Sequence, residues 1–336
     1  MKCMVTGATG FIGHSLVNEL LKQNAVVHVL VRSKQKLAPE FLHQVTVFEG
    51  DLHEPGVLDT AMKDCDYVFH LAGFTAVWSK DKTLASYINA EGTRNILNAS
   101  IRNHISKVVF TSTAGTLPPS EQDQPVDENS PAPPDYLTDY ERSKRQAELV
   151  CAEFADRGLD VVIVNPTRVY GPGLLNKSNS VTILIKKYLD GTWRFIPGDG
   201  LQTGNYAYIG DVVRGHIYAL EKGKPGERYI LGGENVSFNR LFEIIGETGG
   251  KKHTLFSVPD FAVAAFANVE LFFADHLGKP PLITPAWVKR YNQNRLVTSR
   301  KATAELGYHV TPLAEGIKKT IVWLNSNKKT YGKTFN

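Results

Sequence analysis

Cysteine is scarce in this 336-residue chain: Cys3, Cys65 and Cys151 are too few and too scattered for a disulfide scaffold or a CxxC metal knuckle. No two of the ten histidines fall within four residues of each other, so the spacing of a zinc site is missing as well. The expectation is no metal and a reducing, cytoplasmic compartment. Charge of one sign is also in short supply, since 38 Lys+Arg against 34 Asp+Glu leave only +4. That argues against a nucleic-acid binder, and 42% hydrophobic residues with 21% charged ones exclude gross disorder. No apolar run approaches the roughly twenty residues of a membrane span. The longest covers residues 261–274 and contains Asn268 and Glu270. The first seven residues run directly into a glycine turn without an apolar stretch, so no signal peptide is expected. Internal repeats and low-complexity tracts are absent too.

What the chain does have, in its first half, is an alternation of short β-branched runs with longer segments of helical period. Strands are expected at 3–6, 26–31, 45–49, 66–71, 107–112 and 160–165, with helices at 11–23, 57–63, 83–103 and 138–157. Such βαβ units build a doubly wound parallel sheet of the Rossmann kind, with its ligand crevice at the carboxyl ends of the strands. The rhythm changes after Gly171-Pro172-Gly173. The division read from it is a dinucleotide-binding domain over 1–170, a smaller mixed α/β C-terminal substrate lobe over 171–328 and a tail over 329–336, with strands or helices free to cross between the two lobes. Helices of the lobe are expected at 181–189, 211–222, 238–248, 259–277 and 313–324. Residues 117–135 hold six of the seventeen prolines in one long loop, a feature more common in functional segments than in plain connections.

The first strand opens into Thr6-Gly7-Ala8-Thr9-Gly10-Phe11-Ile12-Gly13. Glycines here serve a tight turn, the approach of backbone N–H groups to a pyrophosphate, and close helix–strand packing. Gly7, Thr9, Gly10, Phe11 and Ile12 are the nominated contacts. The second strand ends in Arg32-Ser33-Lys34, with no carboxylate at the ribose-side position. A guanidinium beside a hydroxyl suits a 2′-phosphate, so NADP(H) is favoured over NAD(H). Asp51 and Leu52 follow the third strand, on the adenine side. Leu71, Ala72 and Gly73 follow the fourth, where small residues let the backbone pass close under a cofactor.

Tyr140 and Lys144 stand at i and i+4, on one helix face. An ammonium near a phenol favours the phenolate, so the pair is expected to act as an acid/base couple, with Lys144 also holding ribose hydroxyls. The fifth strand ends in Thr111-Ser112-Thr113, hydroxyls suited to holding a substrate oxygen and a cofactor.

TGATGFIG, FHLAG, NAEGTRN, FTSTAG, YERSK and NPTRVYGPG, in this order, resemble the extended short-chain dehydrogenase/reductase superfamily, also called the NAD-dependent epimerase/dehydratase family. The resemblance runs through the late SRKATAELGY segment, and VLVRS with FTSTAGT is most similar to the dihydroflavonol-4-reductase-like and 3-beta-hydroxysteroid-dehydrogenase-like branch. It implies Thr113, Tyr140 and Lys144 as the catalytic set, and Asn165, Pro166, Thr167 and Val169 as the nicotinamide-contacting segment. The acidic pair of sugar-nucleotide dehydratases is replaced by Ala114-Gly115, and the Arg-Pro-Gly-Asp-like stretch of sugar-nucleotide epimerases by Asn292–Thr298, in which Arg295 is the remaining candidate.

The resulting expectation is an NADP(H)-dependent reductase/dehydrogenase of a carbonyl/secondary-alcohol pair in a largely apolar small molecule. A sugar-nucleotide epimerase is the alternative on the same fold, and a non-catalytic NADP-binding redox sensor the alternative of another class. Phe74, Trp78, Arg168 and Trp193 are nominated for the substrate. The apolar segment around Phe272 and Phe273 reads either as a core helix or as a lid over the pocket. No nucleic acid and no membrane span are expected, and a homodimer is left open.

Overall fold

The computed structural model describes residues 1–121 and 124–327; the expected tail at 329–336 lies outside the described residues. Twelve strands are found among them: β1 (Lys2–Thr6), β2 (Val26–Val31), β3 (Thr46–Glu49), β4 (Tyr67–His70), β5 (Lys107–Thr111), β6 (Val161–Pro166), β7 (Arg168–Tyr170), β8 (Phe195–Pro197), β9 (Thr203–Tyr208), β10 (Arg228–Leu231), β11 (Glu234–Ser237) and β12 (Phe256–Val258). The helices are α1 (Phe11–Lys22), α2 (Pro55–Met62), α3 (Leu84–Ser86), α4 (Gly92–Arg102), α5 (Asp139–Asp156), α6 (Ser180–Leu189), α7 (Ile209–Lys222), α8 (Phe238–Gly249), α9 (Asp260–Leu277), α10 (Pro285–Tyr291) and α11 (Leu313–Ser326).

Seven strands form one sheet in the order β10-β6-β5-β4-β1-β2-β3, every neighbouring pair parallel. Successive side chains of a strand face opposite sides, and the core divides accordingly. Cys3, Val5, Val27, Val29, Val109, Val162 and Val164 meet Leu16, Val17 and Leu20 of α1 and Val212, Val213 and Ile217 of α7. Met4, Val68, Val108, Phe110, Val161 and Ile163 meet Leu58 of α2, Ile96 and Leu97 of α4 and Phe154 of α5. The strand order reverses between β1 and β4, and that switch point opens the crevice.

The segment beyond residue 170 returns to this sheet. Its helix α7, placed with the small lobe by the sequence reading, lies with α1 in the core of one face of the sheet, and β10 supplies the seventh strand. Short strands of three or four residues carry no readable periodicity, which is why β7, β8, β10, β11, β12 and the seven-residue α10 escaped the sequence. The lobe itself packs α6, α8 and α11 against the three-stranded sheet β11-β9-β7. The single helix expected at 83–103 is broken by a π-helical turn, Tyr87–Glu91, between α3 and α4. Among the described residues, no helix is long and apolar enough to cross a membrane.

Candidate functional site

The turn from β1 into α1 crosses the chain leaving β4 at a separation only glycine permits. Gly7 has φ +76°, and a Cβ there would lie 2.7 Å from the Ala72 nitrogen. A Cβ on Gly13 would run into the Gly7 carbonyl. α1 starts with Gly10 as its N-cap, no side-chain cap and no acidic residue in its first turn. This backbone cradle, with helix amides at the switch point and no carboxylate to repel an anion, fits a dinucleotide pyrophosphate. Thr9 and Ile12 are half-buried at its rim. Phe11 differs from its nomination: its ring is in the core, and its N–H donates to Ser178 Oγ at 3.3 Å.

Thr6 fastens the two loops. Its hydroxyl accepts from the Leu71 and Ala72 N–H groups at 3.1 and 3.0 Å and lies 2.7 Å from His70 Nδ1. With its lone pairs used, Thr6 donates its proton to Nδ1, so His70 carries its own on Nε2 and gives it to Thr93 Oγ1 at 3.1 Å. Thr93 then donates to the Asn89 carbonyl. Burial, reinforced by the charge of Lys144, pushes the His70 pKa down to about 3, so the ring stays neutral.

Arg32 is exposed at the end of β2 and Ser33 is half-buried beside it. The sequence reading overlooked Glu49, at the end of neighbouring β3, which accepts the Lys34 N–H at 2.8 Å and so sets a carboxylate near this corner. Asp51 accepts the His53 N–H in a local turn, and Leu52 is buried against Gly92.

Thr113, Tyr140 and Lys144 converge at the carboxyl end of β5. Thr113 Oγ1 accepts the Gly115 N–H at 3.1 Å and lies near enough to the Tyr140 phenol to favour its ionised form. Lys144 Nζ donates to the Thr111 carbonyl at 2.6 Å and lies 4.4 Å above the Phe110 ring. Gly73 passes close by: a Cβ there would lie 2.9 Å from Asn89 Oδ1 and 3.7 Å from Lys144 Nζ. One expectation is reversed. Burial pushes the Tyr140 phenol up, and the groups that oppose this are Thr113 and the Arg290 guanidinium rather than Lys144. Lys144 is itself buried, which brings its pKa down to about 8.

Several nominated side chains support the site rather than face it. Ser112 Oγ and Asn165 Nδ2 both donate to buried Glu148 Oε1, at 2.5 and 2.7 Å, and Asn165 also donates to the Thr113 carbonyl at 3.0 Å. Thr111 Oγ1 is bonded to His216 Nε2 at 2.9 Å. Pro166 is buried in β6 and Val169 is half-buried in β7. The buried Thr167 Oγ1 and Asn165 Oδ1 have no hydrogen-bond partner, two polar atoms available at the segment nominated for the nicotinamide.

Sequence reasoning missed three positioning groups. Asn89, in the π-helical turn, accepts the Phe74 N–H at 2.7 Å and donates to the Phe74 carbonyl and to Ser143 Oγ, tying the loop after β4 to α5. Glu148 was hidden as an ordinary helical glutamate. Glu141 is fully buried: its N–H donates to the Thr138 hydroxyl that caps the helix, its carboxylate accepts from that hydroxyl at 2.9 Å and from Arg290 Nε at 2.5 Å, and Arg295 lies at 3.4 Å. The S/T-x-x-E pattern at Thr138 was the one available signal for it. Through Arg290 this carboxylate holds α10, whose Trp287 stacks on Tyr140 at 6.4 Å.

A cleft of about 350 Å³ opens at Tyr140, lined by Phe74, Val77, Trp78, Leu137 and Trp287. Two of the four nominated substrate residues, Phe74 and Trp78, are therefore at its wall. Trp193 instead packs on the core of the lobe, and Arg168 donates to Tyr206 at 2.9 Å among the rings of Tyr206, Phe238 and Tyr291. Arg295 is bound to Glu141, the Leu117 carbonyl and Gln293 through its terminal nitrogens, while its buried Nε has no partner. From α9, Leu271 reaches the cleft, whereas Phe272 and Phe273 are exposed and line neither core nor pocket.

The chain matches the NAD dependent epimerase/dehydratase family over residues 3–232. It is 31% identical to a "Putative dihydroflavonol 4-reductase" of Synechocystis sp., covering 96% of this chain and 94% of that one. It is 28% identical to "Sterol demethylase protein B" of Methylococcus capsulatus, with 96% and 98% covered. Among solved structures, UDP-glucose 4-epimerase of Thermotoga maritima with UDP-glucose superposes with a TM-score of 0.80 over 97% of this chain and 99% of that one. At 24% identity this likeness speaks to the fold.

Proposed function

Because the chain belongs to the NAD dependent epimerase/dehydratase family, we propose that it is an NADP(H)-dependent reductase/dehydrogenase acting on the carbonyl/secondary-alcohol pair of a largely apolar small molecule. The coarser statement, a nicotinamide-dependent enzyme of CH–OH and carbonyl groups, goes with the family. The observation that carries the finer one is Tyr140, beside the Thr113 hydroxyl and one helical turn from Lys144, at the mouth of a cleft walled by Phe74, Val77, Trp78 and Trp287.

The nicotinamide, when bound, supplies or takes up the hydride. The chain supplies the rest. Thr113 Oγ1 and the Tyr140 hydroxyl hold the substrate oxygen, where negative charge grows as the carbonyl is reduced. A phenol pushed up by burial keeps its proton at neutral pH, so Tyr140 is ready to give that proton to the oxygen. Lys144, anchored on the Thr111 carbonyl, retains N–H groups for ribose hydroxyls. Glu141 and Arg290 hold Trp287 against Tyr140, which narrows the cleft and keeps water from the reacting oxygen. Dihydroflavonol and sterol, named in the two relatives, are ring systems with much apolar surface, which supports the substrate class. Arg295 is engaged by Glu141 and the Leu117 carbonyl, and of its guanidinium only the buried Nε lacks a partner, which is a poor disposition for a sugar diphosphate.

The test is consumption of NADPH and NADH with a series of ketones of increasing hydrophobic size, alongside UDP- and GDP-sugars. Tighter NADPH binding, turnover that improves with apolar area and a Tyr140→Phe variant that binds NADPH but turns over about 10²–10⁴ times slower are the expected results. Saturable sugar-nucleotide binding without net NADPH consumption would refute it.

A further inference from the structure

Three guanidiniums gather beside Thr113 and Tyr140 and share one carboxylate. Arg290 Nε and Arg295 Nη2 both approach Glu141 Oε1, at 2.5 and 3.4 Å. Arg168 joins them from β7. Its guanidinium lies 5.5 Å from the ring of Tyr291, the neighbour of Arg290 in the chain, and occupies the space a side chain at Gly204 would need. The preceding Thr203 carbonyl accepts the Arg295 N–H at 2.9 Å. Burial, followed by the charge of Arg290, brings the Arg295 pKa down to about 10; Glu141 opposes this and Arg168 adds to it, so both cations are in electrostatic reach of Arg295. Among the described residues no second carboxylate pairs with any of the three, although the side chains of Arg290 and Arg295 are only 13% exposed. Positive charge gathered in so dry a place is costly unless an anion completes it.

The unused donors mark the place for that anion. Arg290 bonds through Nε alone, and Arg168 through Nη1 alone, to Tyr206. Arg290 Nη1 and Nη2 and Arg168 Nη2 therefore have no hydrogen-bond partner among the described residues, and of the unpartnered atoms of the three guanidiniums only Arg295 Nε is sealed from solvent. Arg290 Nη2 is at the reacting end of β5: a Cβ on Gly115, whose N–H is bonded to Thr113 Oγ1, would lie 3.3 Å from it. One turn earlier on α10, Trp287 lines the cleft, with the Arg290 guanidinium 5.0 Å from its ring. This short helix thus offers both an apolar wall and a cation to a molecule held against Tyr140. The rings of Tyr206, Phe238 and Tyr291 surround Arg168, and a weakly hydrated planar guanidinium suits a planar carboxylate. None of the three arginines belongs to the Gly7 turn or to the corner at Arg32, so the phosphates of a cofactor have their donors elsewhere.

We propose that Arg290 and Arg168 form an anion subsite of the cleft and that the substrate is a hydrophobic oxo or hydroxy acid, its carboxylate held by them while its carbonyl or alcohol carbon meets Thr113 and Tyr140. The subsite rests on the reading of this cleft as the substrate site and narrows the substrate class given above.

Calorimetry on the full-length protein saturated with NADP⁺ compares octanoate with octanamide, equal in apolar body and different in charge. Octanoate should bind wild type at least tenfold more tightly. Arg168→Gln, which leaves both Glu141 pairs intact, should remove about tenfold of the octanoate affinity and leave that of octanamide within twofold, and Arg290→Gln should lower the ratio of the two affinities likewise. In turnover, KM for a β-oxo acid should rise in Arg168→Gln while KM for its methyl ester holds. Equal affinity of wild type for octanoate and octanamide, or a preference that either substitution leaves unchanged, overturns the subsite. So does UDP that binds the NADP⁺-loaded protein and displaces octanoate, which would give these arginines to a sugar diphosphate. A protein that reduces neutral ketones without preferring the carboxylate loses the subsite and keeps the reductase reading. One that prefers the carboxylate but consumes no NADPH with any oxo acid keeps the subsite and loses that reading.

Discussion

Protonation of His70 should unfasten the cofactor loops, and its cost can be worked from the structure. The buried ring has a pKa of about 3 against an ordinary 6.5, because burial strips the charged form of water and the Lys144 ammonium repels it. A histidine whose folded pKa is depressed contributes stability that is complete above 6.5 and is lost as the pH falls toward 3, since the unfolded chain takes up the proton first. At 1.36 kcal/mol per pH unit, the loss attributable to His70 is about 2 kcal/mol at pH 5 and about 4–5 kcal/mol by pH 3. Against a net stability on the order of 5–15 kcal/mol, this is a large fraction. Urea unfolding followed by circular dichroism at pH 7.5, 6 and 5 measures it, with His70→Gln as the reference. His216, also buried and held down to about 4, contributes equally to both proteins and cancels. Wild type should lose about 2 kcal/mol more than His70→Gln between pH 7.5 and 5. Equal slopes for the two would refute the buried neutral imidazole. NADPH affinity should hold between pH 7.5 and 5, because the folded ring stays neutral until the pH nears 3 and Thr6 keeps donating to it while its oxygen accepts from Leu71 and Ala72.

Other consequences follow from the same geometry. Glu141→Ala leaves Arg290 and Arg295 buried without their carboxylate and should cost about 3–5 kcal/mol in urea unfolding, with Glu141→Gln recovering part because its amide oxygen still accepts the Thr138 hydroxyl. Gly13→Ala drives a methyl into the Gly7 carbonyl, so melting temperature and NADPH binding should both fall, at about 1–3 kcal/mol for the overpacking. Arg32→Asp should abolish or reverse the preference for NADPH, losing roughly 1.5–3 kcal/mol of a charge-assisted contact, while Glu49→Gln should strengthen it; cofactor titration by fluorescence reads both. Carbonyl reduction should decline as the pH rises past about 8, where Lys144 loses its charge, and a Lys144→Arg variant should hold its rate to higher pH.

What the sequence by itself determined was whatever local pattern encodes. The β-branched runs alternate with helical segments at the spacing of a doubly wound sheet, and β2 spans the expected residues 26–31 because a strand buried on both faces reads as a continuous apolar run. The glycines at 7 and 13 announce a backbone crossing that no side chain survives, and Tyr140 and Lys144 share a face by helical spacing alone. Only the tertiary structure decided which polar side chains work on the reacting oxygen and which on the scaffold. Ser112 and Asn165 look like site residues in the chain but are turned to Glu148, a glutamate of α5 that becomes a hub by being buried beside them. Glu141 and Arg290 are 149 residues apart, and no periodicity links them. Folding brings them together and so places Trp287 on Tyr140. The orientation of α9 lies at the limit of sequence reading. Its apolar residues surround the whole helix, so the pattern has no preferred side, and packing alone chose to bury the alanines and leave the phenylalanines outside.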